Sequence, residues 1–315
     1  MKKTKKSKIN ETRQDKVFNV INMIILWIVL ILVAYPLIYV LSASFSNPQA
    51  VSSGKVWLWP VDFTLRGYEV VFQHPDIVRG FLNAIYITVL GTVVQVIITI
   101  MAAYPLSRKT LYGKGVITLF FTFTMFFGGG LIPTFILINN LGLYNTYWAL
   151  ILPGAVGVYN VIVARTFFQT TIPEDLFEAG QLDGCSDFRF LISVVLPLSK
   201  PIIAVLVMFY AVGHWNSYFG PMIYLADKQL YPLQIVLRNI LVQNQFDSQM
   251  MMDVASMEQQ KGLAELIKYS VIVVSSLPML ILYPFIQKHF VKGVMIGAIT
   301  VSYTHLRAHE TLSDL

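Results

Sequence analysis

Charge is what this sequence has least of. Only 13% of its 315 residues are Asp, Glu, Lys or Arg and 56% are hydrophobic, where a soluble domain carries about 25% charged residues. A soluble fold of this length could not hide so much apolar surface. Cysteine is nearly absent: Cys185 stands alone, which excludes an internal disulfide, and a thiol facing the cytoplasm stays reduced. No stretch reads G-x-x-x-x-G-K-[ST], so the chain has no phosphate-cradling loop of its own. The five histidines, His74, His214, His289, His305 and His309, show no HExxH or similar spacing and no Cys/His cluster exists. No metal site, no cofactor and no catalytic residues are expected from such a set.

The few charges are clustered, and they leave charge-free runs at 17–54, 81–107, 115–164, 201–226 and 269–287. A helix crosses the hydrocarbon core with roughly 20 apolar residues, so each run is long enough to span. The third run, of 50 residues, would reach about 75 Å as one helix at about 1.5 Å per residue and must fold back. Asn139, Asn140, Gly142 and Asn145 give it a turn. The expected fold is therefore all-α and integral to the membrane, with six transmembrane helices near 17–42, 81–106, 117–138, 147–164, 201–224 and 269–287. Runs this long and continuous argue against barrel strands, which are short and alternate.

Residues 1–16 are basic and precede a span too long for a secretory signal, so they read as a cytoplasmic tail before a retained anchor. Lys and Arg number 15 on the side of the N-terminus and 7 on the other, which puts both termini and the 171–201 loop in the cytoplasm. The net charge of +6 calls for no nucleic acid; a basic face against anionic membrane lipid accounts for it. The spans contain no Asp, Glu, Lys or Arg, where an ion-coupled carrier tends to place them. His214, the lone intramembrane histidine, reads as a hydrogen-bonded interhelical residue. A secondary transporter or a non-transporting scaffold remain the alternatives, and an intramembrane enzyme has no visible catalytic pair.

The cytoplasmic loop is more specific than a connector needs to be. In TIPEDLFEAGQLDG, from Thr171, Pro173 with Glu174 and Asp175 predicts a helix start. Leu176, Ala179 and Gly180 share one face, and Gly184 suits a left-handed end. Ser186 and Asp187 predict the cap of a second helix, FRFLISVV, that Leu196 and Pro197 stop. Spacing alone leaves open whether the elbow lies on the membrane surface or meets another protein.

The stretch Glu178, Ala179, Gly180, Gln181, Leu182, Asp183, Gly184, followed by Leu196, Pro197 and Pro201, resembles the EAA loop of permease subunits of ATP-binding-cassette (ABC) importers. The likeness continues in AAYPLSRK (102–109), GGGLIPTFILINNLGLYNTYWALILP (128–153), HWNSYFGPMIYL (214–225) and YPFIQKHFVKGVMIGAI (283–299), and covers about residues 17–299. These segments are similar to the carbohydrate-uptake branch, of the oligosaccharide and aldouronate type. The resemblance implies a type I, MetI-like permease architecture in a bacterial cytoplasmic membrane. It also implies cytoplasmic ABC ATPases, a second homologous permease, an extracellular solute-binding protein and a sugar or oligosaccharide substrate. In that family the loop is the coupling helix docked on the ATPase: Glu178 and Asp183 would supply polar contacts or hold the bend, Ala179 and Gly184 would allow close approach, and Leu196 and Pro197 would close the motif. Gly180 stands where the family usually has Ala, which implies a slightly looser helix.

Tyr210, His214, Trp215, Asn216 and Tyr218 crowd into nine residues of the fifth span. Aromatic faces and amides suit sugars, so Trp215, Asn216 and Tyr218 are the expected substrate path, with an interfacial aromatic belt as the competing explanation. The Met-rich stretch within 227–264 can dock a binding protein or be a plain loop. From about residue 300, TVSYTHLRAHETLSDL is unrelated in character to what precedes it. It is similar to translated adapter read-through and is expected to be non-native.

Overall fold

A computed structural model describes residues 12–240 and 265–284 and the backbone of 241–247. Outside them lie most of the basic tail, the Met-rich segment, the end of the sixth expected span and the stretch from residue 300. The described residues form helices and turns and no strand. In chain order the helices are α1 (Arg13–Ser44), α2 (Pro48–Ser52), α3 (Arg66–Gln73), α4 (Pro75–Ser107) and α5 (Lys114–Phe126). Next come α6 (Leu131–Asn140), α7 (Trp148–Ile151), α8 (Val158–Thr171), α9 (Glu174–Leu182) and α10 (Asp187–Phe190). A π turn (Leu191–Val195) leads to α11 (Leu196–Leu198), α12 (Lys200–Trp215), α13 (Phe219–Tyr224) and α14 (Leu233–Asp247). The last described helix is α15 (Glu265–Pro284).

The chain divides into two compact units, Met1–Val71 with Gln243–Val274 and Phe72–Val242 with Ser275–Leu315. In the first, α1 opens on a capping box: Thr12 Oγ1 accepts from the Asp15 N–H at 3.2 Å while the Thr12 N–H donates to the Asp15 carboxylate at 3.0 Å. The Thr12 hydroxyl also donates to that carboxylate at 2.7 Å, and this bond, with the one from the Thr12 N–H, holds the Asp15 carboxyl below its ordinary value. The most apolar stretch of α1 is 0% buried within the chain. A helix that is apolar all round and unburied by its own chain is one that lipid or another membrane protein covers. Only its end turns inward, where Ser44 Oγ meets Tyr68 Oη at 2.8 Å and the Ser44 carbonyl accepts from Ser270 Oγ at 3.5 Å.

The second unit is built around α4, which packs on α8 and α12. Its buried face includes Gly91, Gln95, Thr99 and Ala103, a repeat of four residues, with Tyr104 beside the last. Polar groups on that face are matched across helices. Gln95 Nε2 donates to the Gly154 carbonyl at 2.9 Å and its Oε1 lies 3.0 Å from His214 Nε2, while Thr99 Oγ1 meets Tyr210 Oη at 2.6 Å. His214 is thus the interhelical residue its isolation suggested.

Continuous helices cover the first, second and sixth expected runs as far as they are described, but the other three are interrupted. In place of a single helix over 117–138, α5 and α6 meet at 111°. The break contains Gly128, Gly129 and Gly130, which bring no side chain to hold a helix, and Gly130 has φ +84°. Within 147–164, α7 ends at Ile151 and α8 begins at Val158, with Pro153, Gly154 and Gly157 between them. α8 then runs past Arg165 to Thr171, because a charge marks the edge of an apolar run and does not end a helix. Within 201–224, α12 stops at Trp215 and α13 starts at Phe219. Of the expected turn residues, Gly142 and Asn145 lie between α6 and α7, while Asn139 and Asn140 close α6. Asn145, at φ +60°, donates its N–H to the Tyr224 carbonyl, and its Oδ1 accepts from the Ala226 and Asp227 N–H groups, both at 2.9 Å.

Candidate functional site

The 171–201 loop is a two-legged elbow. Pro173 is the N-cap of α9, one position earlier than a first-turn proline, and Glu174 and Asp175 lie in the first turn where the positive helix end favours them. α9 ends at Leu182, Gly184 takes φ +71°, and Ser186 caps α10 by accepting from the Arg189 N–H at 3.4 Å. The expected stop at Leu196 and Pro197 is displaced. The π turn carries straight into α11, so Leu196 and Pro197 are helical and the chain bends by 84° around Ser199. Pro197 is the second-last residue of this continuous helical stretch, Asp187–Leu198, directly after the π turn.

Glu178, Ala179, Asp183 and Gly184 are exposed on the outer side of the elbow, Gly180 and Leu196 are half-buried, and Pro197 is exposed. The inward anchor is Phe177, which no motif singled out. It is 5% exposed and packs edge to face on Phe190 at 5.4 Å between ring centroids. Both rings join Tyr104, Phe168, Leu191, Val195 and Leu206 in one apolar cluster, so the elbow is fixed to α4, α8 and α12. A Cβ on Gly180 would lie 3.0 Å from Phe190 Cδ2 and 3.2 Å from Cε2, so the glycine admits the ring. Alanine gains up to about 1 kcal/mol in helix propensity while pressing Phe190 outward by a few tenths of an ångström. We therefore expect Gly180→Ala to leave the thermal midpoint in detergent nearly unchanged and Gly180→Leu to lower it clearly. A Gly180→Leu midpoint equal to wild type would show that the ring does not need the space.

The other expected residues lie where α12 gives way to α13. Trp215 is 2% exposed, donates its indole N–H to the Ser275 carbonyl at 2.9 Å and meets Phe81 edge to face. Trp215 and Asn216 line a cavity of about 490 Å³ together with Met208, Gln234, Met279 and Tyr283. Asn216 is exposed, with its Nδ2 bonded to the Val212 carbonyl at 3.0 Å; Tyr218 is half-exposed, outside that lining, and edge to face with Phe219. Among the described residues no three His, Cys, Asp or Glu side chains converge as a metal site would require.

A model of the family described as binding-protein-dependent transport system inner membrane component matches residues 95–296. The chain belongs to this family. The permease is similar to Protein LplC of Bacillus subtilis (strain 168), at 38% identity over 294 residues, 92% of this chain and 97% of the relative. It is also similar to the polygalacturonan/rhamnogalacturonan transport system permease protein YtcP of the same organism, at 42% over 265 residues, 84% and 91% of the two chains. In three dimensions it matches a chain in the crystal structure of a bacterial ABC transporter involved in the import of the acidic polysaccharide alginate. There the TM-score is 0.82 and the identity 31%, over 90% of this chain and 99% of that one. The all-α, integral membrane, ABC-importer permease architecture read from the sequence is the one found. The permease is a transport component and not the ATPase of its system.

Sequence reasoning missed Phe177, Phe190 and Arg108. Two of them are phenylalanines in a chain with 21, and Arg108 was counted only as a charge at the end of a span. The spacing of Phe177 three residues before Gly180 was the available signal, since residues i and i+3 share a helix face.

Proposed function

We propose that this permease is one of two membrane-spanning subunits of an ATP-driven importer of oligosaccharides, in a bacterial cytoplasmic membrane with both termini in the cytoplasm. Its partners are a second homologous permease, cytoplasmic ABC ATPases and an extracellular solute-binding protein. Six spans, with three of them interrupted, carry the solute. The substrate class follows relatives named for polygalacturonan/rhamnogalacturonan, melibiose/raffinose/stachyose and arabinooligosaccharide transport. The observation that carries the reading is the elbow: exposed Glu178, Ala179, Asp183 and Gly184 on a backbone pinned from inside by Phe177. A chain without a nucleotide site needs a rigid handle for a partner that has one, and these residues supply its outer surface. On this reading Glu178 and Asp183 make the polar contacts or hold the bend, Ala179 and Gly184 permit close approach, Gly180 makes room for Phe190 behind them, and Leu196 and Pro197 close the motif. Asn216 and Tyr218, with Trp215 packed behind them, line part of the solute path.

Cys185, the only cysteine, sits half-buried between Gly184 and the α10 cap. A membrane-impermeant maleimide should label it in inside-out vesicles, and co-expressed ATPase should suppress that labelling. Labelling only from the outside, or labelling that a functional ATPase leaves unchanged, would sink the docking role of the elbow.

A further inference from the structure

Arg108 closes α4 and is 6% exposed, yet no carboxylate lies within ion-pairing distance of it among the described residues. Its guanidinium carbon lies instead 5.0 Å from the ring centroid of Tyr104, 5.0 Å from that of Phe177 and 5.8 Å from that of Phe190. Its Nε has no hydrogen-bond partner. A buried cation held by aromatic faces is attracted by their negative quadrupoles, and a planar guanidinium can stack on them where an ammonium cannot.

The three rings come from three different helices: Tyr104 from α4 itself, Phe177 from α9 and Phe190 from α10. Tyr104 also donates its hydroxyl to the Asp187 carbonyl of α10 at 3.3 Å. The backbone on either side is tied elsewhere, since Lys114 Nζ donates to the Arg108 carbonyl at 3.3 Å and Gln169 Nε2 to the Ser107 carbonyl at 3.4 Å. Both legs of the elbow therefore grip one side chain at the end of the helix that organises the second unit. Anchoring alone would be served by apolar packing. A cation among three rings adds an attraction that weakens when any one ring leaves, so displacing either leg pulls on α4.

We propose that Arg108 is the positioning residue through which movement of the α9–α10 elbow is delivered to α4, so that the two move as one body during the ATP cycle. This rests on the elbow being the ATPase handle. Spin labels at Met101→Cys on α4 and Leu182→Cys on α9, both exposed positions, in a Cys185→Ser background, report the distance between the two helices in the full transporter purified with its ATPase. Wild-type Arg108 should give one narrow distance, the same without nucleotide and with MgATP plus vanadate. Arg108→Lys, which keeps the charge and loses the planar fork, should co-purify with the ATPase and give a distance that shifts with nucleotide. Phe190→Leu should do the same, and Arg189→Lys, exposed on α10, should not. The proposal fails if the Arg108→Lys and Phe190→Leu distances match wild type in both states, or are broadened equally in both, which is the mark of a purely structural role. It also fails if the wild-type distance itself changes with nucleotide. A wild-type permease that carries no ATPase through purification overturns the proposed function, and this inference with it, before any variant is compared.

Discussion

Gly91→Ala is expected to destabilise the permease by about 2–5 kcal/mol, the sum of an overpacked contact and a broken buried hydrogen bond. Gly91 faces the imidazole of His214 across the α4 and α12 contact, and an added Cβ would lie 2.7 Å from its Cε1 and 2.8 Å from its Cδ2. Real carbon contacts do not come so close, so either the ring or a helix must move. The ring is not free to swing, because its Nε2 is paired with Gln95, whose amide is already committed to Gly154. Moving it would orphan a glutamine in a low-dielectric interior. Thermal unfolding in detergent, followed by loss of the monodisperse elution peak, measures the effect. His214→Ala in the Gly91→Ala background should recover part of the loss, because it removes the collision. If the double variant is the sum of the two singles, the contact is not what Gly91 is for.

Gly184→Val should abolish capture of the ATPase while barely moving the thermal midpoint. Nothing lies within 4 Å of a Cβ built on Gly184, so the substitution meets no steric neighbour. Its cost is conformational: φ is +71°, and a β-branched residue held there pays on the order of 1–3 kcal/mol. The turn can escape that strain by opening, which reorients α9 against α10. At about 1.4 kcal/mol per factor of ten, the docking-competent elbow then falls by roughly one to two orders of magnitude. Gly184→Asn is the control, because asparagine tolerates left-handed backbone, and it should restore most of the capture. Co-purification of tagged ATPase with each variant reads the result. Equal losses for Val and Asn would point to the surface at Gly184, and not its backbone, as the feature the ATPase needs.

These two positions differ in how far the sequence could reveal them. Gly184 was legible because its role is local: a helix end followed by Ser186 as a cap writes its own signal within three residues. The Asn139 to Asn145 turn was legible for the same reason. Gly91 was not, because its partner lies more than a hundred residues away and a glycine in an apolar run carries no mark of what presses on it. The membrane class followed from composition alone. Helix interruptions did not, since hydropathy averages over a window and treats Gly128 to Gly130 as mild members of an apolar run. Leu196 and Pro197 were read as the stop, but the helical stretch runs on to Leu198 through a π turn and bends only at Ser199. For Trp215, an indole that looked available to a sugar is packed to 2% exposure with its N–H already used.

Among the described residues no carboxylate lies beside Arg108, and that has a physiological side. An ion pair at the elbow would loosen in acid as its carboxylate took up a proton, and in brine as counterions crowded round it. The phenyl rings that hold Arg108 have no proton to exchange. With both Phe177 and Arg108 shut away from solvent, dissolved salt has little access to the pair. Acid or osmotic stress on the elbow's side of the membrane would leave the stiffness at this joint unchanged.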